Sequence, residues 1–264
     1  MDHGQEFQYA SPIEGQEIRD CYFYHVMNLP QVGTVGGAWD LRGRFDDYIA
    51  NTRLAGRSVL DVGTASGFLS FEAEKRGASR VVSFDMDDKR RQHFLPYKGH
   101  PCYEDKENYI QYLNDGYMSW KRGYWLAHRA FGSRASVYYG DVYNLPTGLG
   151  RFDVVIVGCL LMHLANPIIA LESISRLSTD TIVVIDTVDT HNQEPVAHLE
   201  SKANDPGGHF IWFALSIGFY REVYAMLGYE IVEVASKPYR CNNYGGEQPT
   251  RDVHLTTVVA RRKR

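Results

Sequence analysis

Val59-Leu60-Asp61-Val62-Gly63-Thr64-Ala65-Ser66-Gly67 reads as a buried strand that breaks into a glycine turn and opens a helix. A second apolar run, Val81-Val82-Ser83-Phe84-Asp85, ends in a carboxylate 22 residues after Gly63. Strand, turn, helix and acid-tipped strand make the front half of a nucleotide-type binding unit. Gly63 and Gly67 let backbone approach a ligand with no Cβ in the way, and the following helix offers unpaired N–H groups. Asp85 at a strand tip can accept hydrogen bonds from both hydroxyls of a ribose.

The glycines are spaced G-x-x-x-G with Asp61 two residues earlier, which departs from the G-x-G-x-x-G of a dinucleotide site. Without the middle glycine a pyrophosphate is disfavoured, whereas Asp61 suits a ligand carrying an ammonium. S-adenosylmethionine has a ribose, a carboxylate and an ammonium, and no phosphate. Two further segments follow in order: Tyr139-Gly140-Asp141-Val142-Tyr143-Asn144-Leu145-Pro146, and Phe152-Asp153-Val154-Val155-Ile156-Val157-Gly158 running on to His163-Leu164. Together, over residues 59–164, these segments resemble the class I S-adenosylmethionine-dependent methyltransferases.

The resemblance implies an α/β, Rossmann-like, seven-stranded, mostly parallel sheet with an antiparallel C-terminal hairpin. It implies S-adenosyl-L-methionine as cofactor and S-adenosyl-L-homocysteine as product. Asp61, Gly63, Thr64, Ala65, Ser66 and Gly67 would hold the methionyl end, and Asp85 with Met86 the ribose and adenine. Asp141 and Val142 would face the far side of adenine, and Gly158 ends the central strand beneath the methionyl arm. Outside this core, Phe23 to Pro30, Gly37 to Gly43, Tyr124 to Arg129 and Gly158 to Pro167 resemble a narrower bacterial group. That group is distantly similar to the tRNA wobble-uridine carboxymethyl transferases, and the likeness does not name an acceptor.

Residues 1–45 lack a long apolar period and read as an irregular lead-in able to fold over a cofactor as a lid. Residues 46–264 then form the methyltransferase domain. Helices are expected near 46–55, 67–76, 119–131, 167–177 and 216–227, alternating with strands near 58–62, 80–84, 135–139, 153–158 and 181–186. Such alternation predicts a parallel sheet covered on both faces. Tyr229 to Ala235 and Val253 to Ala260 would form the closing hairpin. Between Asp85 and the third strand lie about fifty residues, far more than a compact connection needs. The excess, 89–120, carries Tyr97, Tyr103, Tyr109, Tyr112, Tyr117 and Trp120, and is either a substrate wall or a surface elaboration.

A net charge of −4 argues against a broad nucleic-acid surface, because phosphate binding depends on accumulated Lys and Arg. The basic run Arg261 to Arg264 is a short exception. Four cysteines with no C-x-x-C pair suggest reduced thiols, and no signal-like or membrane-length apolar run is present, so a cytoplasmic location is expected. A homodimer is left open.

Methyl transfer from a sulfonium is an in-line displacement in which alignment supplies much of the help, and a base is needed only if the acceptor carries a proton. His163, just after the central strand, is the first candidate base, and His128 the second. Tyr24, Arg129, His209 and Trp212 are candidate acceptor contacts, each with an ordinary packing role as its alternative. Asp186, Asp189, His191 and Asn192 fit no metal motif, so no metal is expected. The expected reaction is O- or N-methylation of a small molecule. The alternatives are a wobble-uridine type tRNA enzyme, or a protein that binds the same cofactor without methylating.

Overall fold

The computed structural model describes residues 7–93, 104–202, 210–242 and 250–264. The lead-in contains a small antiparallel hairpin, β1 (Met27–Leu29) with β2 (Gly33–Val35), followed by β3 (Trp39–Asp40) and a short helix α1 (Phe45–Tyr48). The helix expected over 46–55 stops early because Ala50 and Asn51 turn to φ 48° and 52°, outside the right-handed region. Alternation then begins with β4 (Ser58–Val62), α2 (Phe68–Lys75), β5 (Arg80–Met86), α3 (Lys106–Phe131) and β6 (Ser136–Gly140). It continues with β7 (Phe152–Gly158), α4 (Pro167–Leu177) and β8 (Ser178–Asp186). A second small sheet follows, made of β9 (Val188–Asp189), β10 (Ala197–Leu199) and β11 (Phe213–Ser216). The chain then runs through α5 (Ile217–Met226) into two long strands, β12 (Tyr229–Cys241) and β13 (Arg251–Arg262).

The central sheet has the order β3-β12-β13-β8-β7-β4-β5-β6. Strands β8, β7, β4, β5 and β6 are parallel, and β13 inserts antiparallel between β8 and β12. This is the expected seven-stranded sheet with one strand added. The addition comes from the lead-in, where Trp39 and Asp40 pair with Cys241 and Arg240.

Apolar side chains alternate across the pleat and seal both faces. Val154 and Ile156 of β7 join Val183 and Ile185 of β8 in one core, with Phe68, Leu69 and Phe71 of α2 and Tyr124 and Trp125 of α3. Val155, Val157, Ile182 and Val184 point the other way, onto Leu171 and Ile174 of α4 and Tyr220 and Tyr224 of α5. The helices start where capping chemistry permits. Asn166 Oδ1 accepts from Ile169 N ahead of Pro167, and Ser216 Oγ accepts from Phe219 N.

The helix expected at 119–131 is only the second half of α3. Its first half carries Tyr109, Tyr112 and Tyr117 of the aromatic insertion and Trp120 stands at the start of its second half, while Tyr97 and Tyr103 lie outside the described residues. Asp105 caps α3 by accepting from Asn108 N, and Gly132 at φ 59° ends it. No described helix is long and apolar enough to cross a membrane.

Candidate active site

From β4 the chain winds outward through β5 to β6, then returns across the sheet to β7 on the other side of β4. Ligands of open α/β sheets bind at such a switch point, outside the carboxyl ends of the strands. A cavity of about 310 Å³ lies there, lined by Gly63 and Ala65 after β4, Asp85 and Met86 at the tip of β5, and Gly158 at the end of β7. Val142, Leu160 and Leu164 add apolar wall, and Tyr24, Tyr117, Trp120, His163 and Phe210 add rings.

The turn after β4 is held in a conformation that L-residues seldom adopt. Gly63 and Gly67 have φ 83° and 89°, and Ala65 has φ 49°. Ala65 is fixed by its N–H, which donates to Asp85 Oδ2 at 2.7 Å, while Met86 N donates to Oδ1 at 2.8 Å. Asp85 thereby ties the turn to the second strand and still faces the cavity with lone pairs to spare. Cys159, also on the cavity wall, is a second non-glycine residue at positive φ, 47°. Such residues cluster at binding sites because the surrounding structure must overdetermine them.

Asp61 sits beneath the turn and does not line the cavity. It is fully buried, and its Oδ2 accepts from Thr64 Oγ1 at 2.8 Å and Ser70 Oγ at 2.7 Å. Ser83 Oγ and Tyr124 OH extend the network below. Asp61 Oδ1 has no partner among the described residues and is a buried acceptor waiting for a donor. Thr64 is buried with it, and Ser66 faces the lead-in, its Oγ accepting from Tyr24 N at 3.0 Å. Tyr24 OH in turn accepts from Trp39 Nε1 at 3.0 Å. Asp141 caps the turn beside Val142 through Tyr143 N and pairs with Arg91 at 3.3 Å.

The candidate bases separate cleanly. His163 lines the cavity, and its Nδ1 bonds the carbonyl of Phe210. A carbonyl only accepts, so Nδ1 carries the proton and Nε2 keeps its lone pair. Burial pulls the imidazole below its ordinary value, which keeps it neutral at pH 7. His128 does not line the cavity. Its Nε2 bonds Ala135 O at 3.0 Å and its ring lies among Phe71, Tyr124 and Trp125.

Arg129 is exposed on the last turn of α3 and does not reach the cavity lining either. Trp212 is buried, with its backbone N donating to Met162 O at 2.7 Å, so it steadies the loop of His163 from behind. His209 lies outside the described residues. Sequence reasoning did not single out Cys159 and Leu160 after β7, and took Lys89 and Gln92 after β5 only as part of the 89–120 insertion. All four follow strand ends in the parallel sheet, the signal that could have found them.

Asp186 ends β8, accepting from Met162 N at 3.1 Å and Thr187 N at 2.8 Å. Asp189 Oδ1 accepts from His191 N and Asn192 N. Among the described residues no group of three or more His, Cys, Asp or Glu is placed to hold a metal ion.

Burial raises Asp61 to about 6 and Asp186 to about 7. The folded chain therefore keeps protons that the unfolded chain, at an ordinary carboxylate value, has released. Their contribution is complete below about pH 4 and is lost as pH rises through 6 and 7. Denaturant titrations of the ligand-free protein should lose roughly 2–4 kcal/mol from each of these two groups between pH 4 and 8. Asp186→Asn should flatten the upper part of that fall, and an unchanged profile would show that Asp186 is not its source.

The sheet order, the inserted antiparallel strand and the cavity at the switch point define a class I methyltransferase fold. Residues 40–238 match the family described as a methyltransferase domain, and the chain belongs to that family. Among the curated proteins none matches the chain. The fold is shared with the Burkholderia thailandensis 1,6-didemethyltoxoflavin-N1-methyltransferase, solved with 1,6-didemethyltoxoflavin and S-adenosylhomocysteine bound. That likeness has 17% identity and a TM-score of 0.51, covering 85% of this chain and 78% of that one. A protein of Pyrococcus horikoshii described as a candidate RNA methyltransferase aligns at 14% identity and TM-score 0.51, over 83% of this chain and 84% of its own. An S-adenosylmethionine dependent methyltransferase of Mesorhizobium loti aligns at 14% identity and TM-score 0.50, over 84% and 100%. At such identities the likeness is one of fold.

Proposed function

We propose that this methyltransferase uses S-adenosyl-L-methionine to methylate an O or N atom of a small-molecule acceptor by in-line displacement. The observation that carries the reading is the meeting, in one cavity, of the strand-tip carboxylate Asp85 with His163, whose Nε2 is free to accept a proton.

The residues present fit the cofactor. Asp85 would hold the ribose hydroxyls, Met86 and Val142 would flank the adenine, and the turn at Gly63 and Ala65 would take the methionyl end. The unmet acceptor on Asp61 Oδ1 suits an ammonium, directly or through a water. When bound, the cofactor supplies a methyl on a sulfonium whose leaving group is already activated. The chain's own part is to align the acceptor, exclude water and take its proton at His163 Nε2. In this reading residues 1–45 form the lid, because Tyr24 of the lead-in lines the cavity and hydrogen-bonds the turn at Ser66. Residues 46–264 carry the transfer domain, with the insertion at 89–120 as acceptor wall.

A tRNA acceptor of the wobble-uridine type finds less support. Arg262 of the basic terminus is spent on Ser175 O, Ser178 O and Tyr229 OH, and Arg57 and Arg76 are paired with acids. None of these three cations is left for phosphates.

Calorimetry with S-adenosylhomocysteine tests the cofactor, and transfer of a labelled methyl to small-molecule fractions against bulk tRNA tests the acceptor. Absence of binding, or label found in tRNA alone, overturns the reading. His163→Ala should cost about 10²–10⁴-fold in kcat while S-adenosylhomocysteine affinity changes by less than about threefold. The wild-type activity should rise with pH along a limb centred below the usual histidine value of about 6.5.

A further inference from the structure

The run Lys89-Arg90-Arg91 follows β5 as a short 3-10 turn. Its two arginines are neutralised. Arg90 pairs with Asp88 at 2.8 Å and Glu107 at 2.6 Å, and Arg91 with Asp87 at 3.0 Å and Asp141 at 3.3 Å. Lys89 is not. Its ammonium makes no hydrogen bond or ion pair with any described residue, although its side chain lines the cavity.

It rests on rings instead, 4.6 Å from the centroid of Tyr117 and 5.8 Å from that of Trp120. Lys121 approaches the same Tyr117 ring at 4.9 Å but is engaged by the carbonyl of Asp87. Asp85 is the acid that Lys89 feels, yet no hydrogen bond or ion pair joins the two, and the Asp85 oxygens accept from Ala65 N and Met86 N instead. A cation in a largely apolar cavity, held by π-faces and lacking a contacting carboxylate, is a receptor for an anion.

The position of that anion follows from the neighbours. The charge of Lys89 reaches His163, the candidate base, as well as Asp85. Tyr24 stacks on Trp120 at 5.3 Å, and Tyr24, Trp120 and Phe210 all face the cavity. Those rings offer flat apolar surface beside the ammonium.

Resting on the methyltransferase reading above, we infer that Lys89 is a specificity-determining residue that selects a planar aromatic acceptor bearing a carboxylate. The carboxylate pairs with the Lys89 ammonium, the ring lies against Tyr24 and Trp120, and the nucleophilic O–H or N–H turns toward His163.

The test is titration of the S-adenosylhomocysteine-bound protein with two matched pairs: 4-hydroxybenzoate against 4-hydroxybenzamide, and 1-hydroxy-2-naphthoate against its amide. In the wild type at least one acid should bind about tenfold or more tightly than its amide. Lys89→Met should bring that ratio to within about twofold, and Lys89→Arg should restore part of it. Equal or absent binding of the acids overturns the inference. So does a Lys89→Met protein in which the loss falls on S-adenosylhomocysteine itself, for that would assign the ammonium to the cofactor's own carboxylate. Failure of the wild type to bind S-adenosylhomocysteine at all would instead remove the underlying reading. A thermal scan showing an unchanged transition confirms that the variants are folded.

Discussion

Asp85→Ala is expected to weaken S-adenosylhomocysteine binding by roughly 10²–10³-fold, the largest single loss at the cofactor end. Two charge-assisted hydrogen bonds to a ribose are together worth about 3–5 kcal/mol. Asp85 also accepts from Ala65 N and Met86 N, so its removal leaves two donors at the turn without partners. Asp85→Asn separates the two contributions, because the amide keeps the shape and one acceptor oxygen. It should lose about tenfold in affinity, and its melting transition should fall less than that of the alanine variant, because only one of the two backbone donors then loses its acceptor. Calorimetry on both variants, beside a thermal scan, provides the comparison. An alanine variant that binds within about threefold of the wild type would show that this carboxylate does not hold the ribose.

The second large effect is on stability. Gly67, the first residue before α2, has φ 89°, and a Cβ there would stand 2.5 Å from the Phe71 ring and 2.8 Å from Tyr124. Both rings are buried in the core of that face and cannot swing aside. Gly67→Ala therefore combines left-handed backbone strain of about 1–2 kcal/mol with overpacking of about 1–3 kcal/mol. A net loss of roughly 3 kcal/mol should lower Tm by about 5–10 °C. Gly228, also at positive φ (81°) but with open space around its Cβ position, makes a suitable control. Its alanine variant carries the strain alone and should lose less. Equal losses at the two positions would mean that crowding at Gly67 has been absorbed.

The parts of the site closest to the sheet were legible because one short motif determines them. Gly63, Gly67 and Asp85 are local consequences of a strand, a turn and a second strand, and residue spacing suffices to place them. Histidines were harder. His163 and His128 are both near element ends, yet one ring faces the cavity and the other packs on Phe71 and bonds Ala135 O. For His128 the rotation of α3 about its axis decides this, and for His163 the turn after β7, and no pattern of residues in either stretch reports it. Asp61 illustrates a different shortfall. Its charge is legible in the sequence, but not that Thr64 and Ser70 claim one oxygen beneath the turn and leave the other open. The lead-in was readable as irregular, but its pairing of Trp39 and Asp40 with β12 spans two hundred residues and depends wholly on tertiary closure.

The placement of β13 bears on how the molecule is made. Being the last of the described strands in chain order and yet interior, between β8 and β12, it leaves the backbone groups of β8 uncovered on one side until it emerges from the ribosome. Until then a nascent chain presents a bare, apolar ribbon from Thr181 to Asp186, the type of template on which neighbouring polypeptides register and aggregate. Biogenesis is thus expected to be most vulnerable while the stretch between β8 and β13 is being made, well after β4 to β7 could have taken shape.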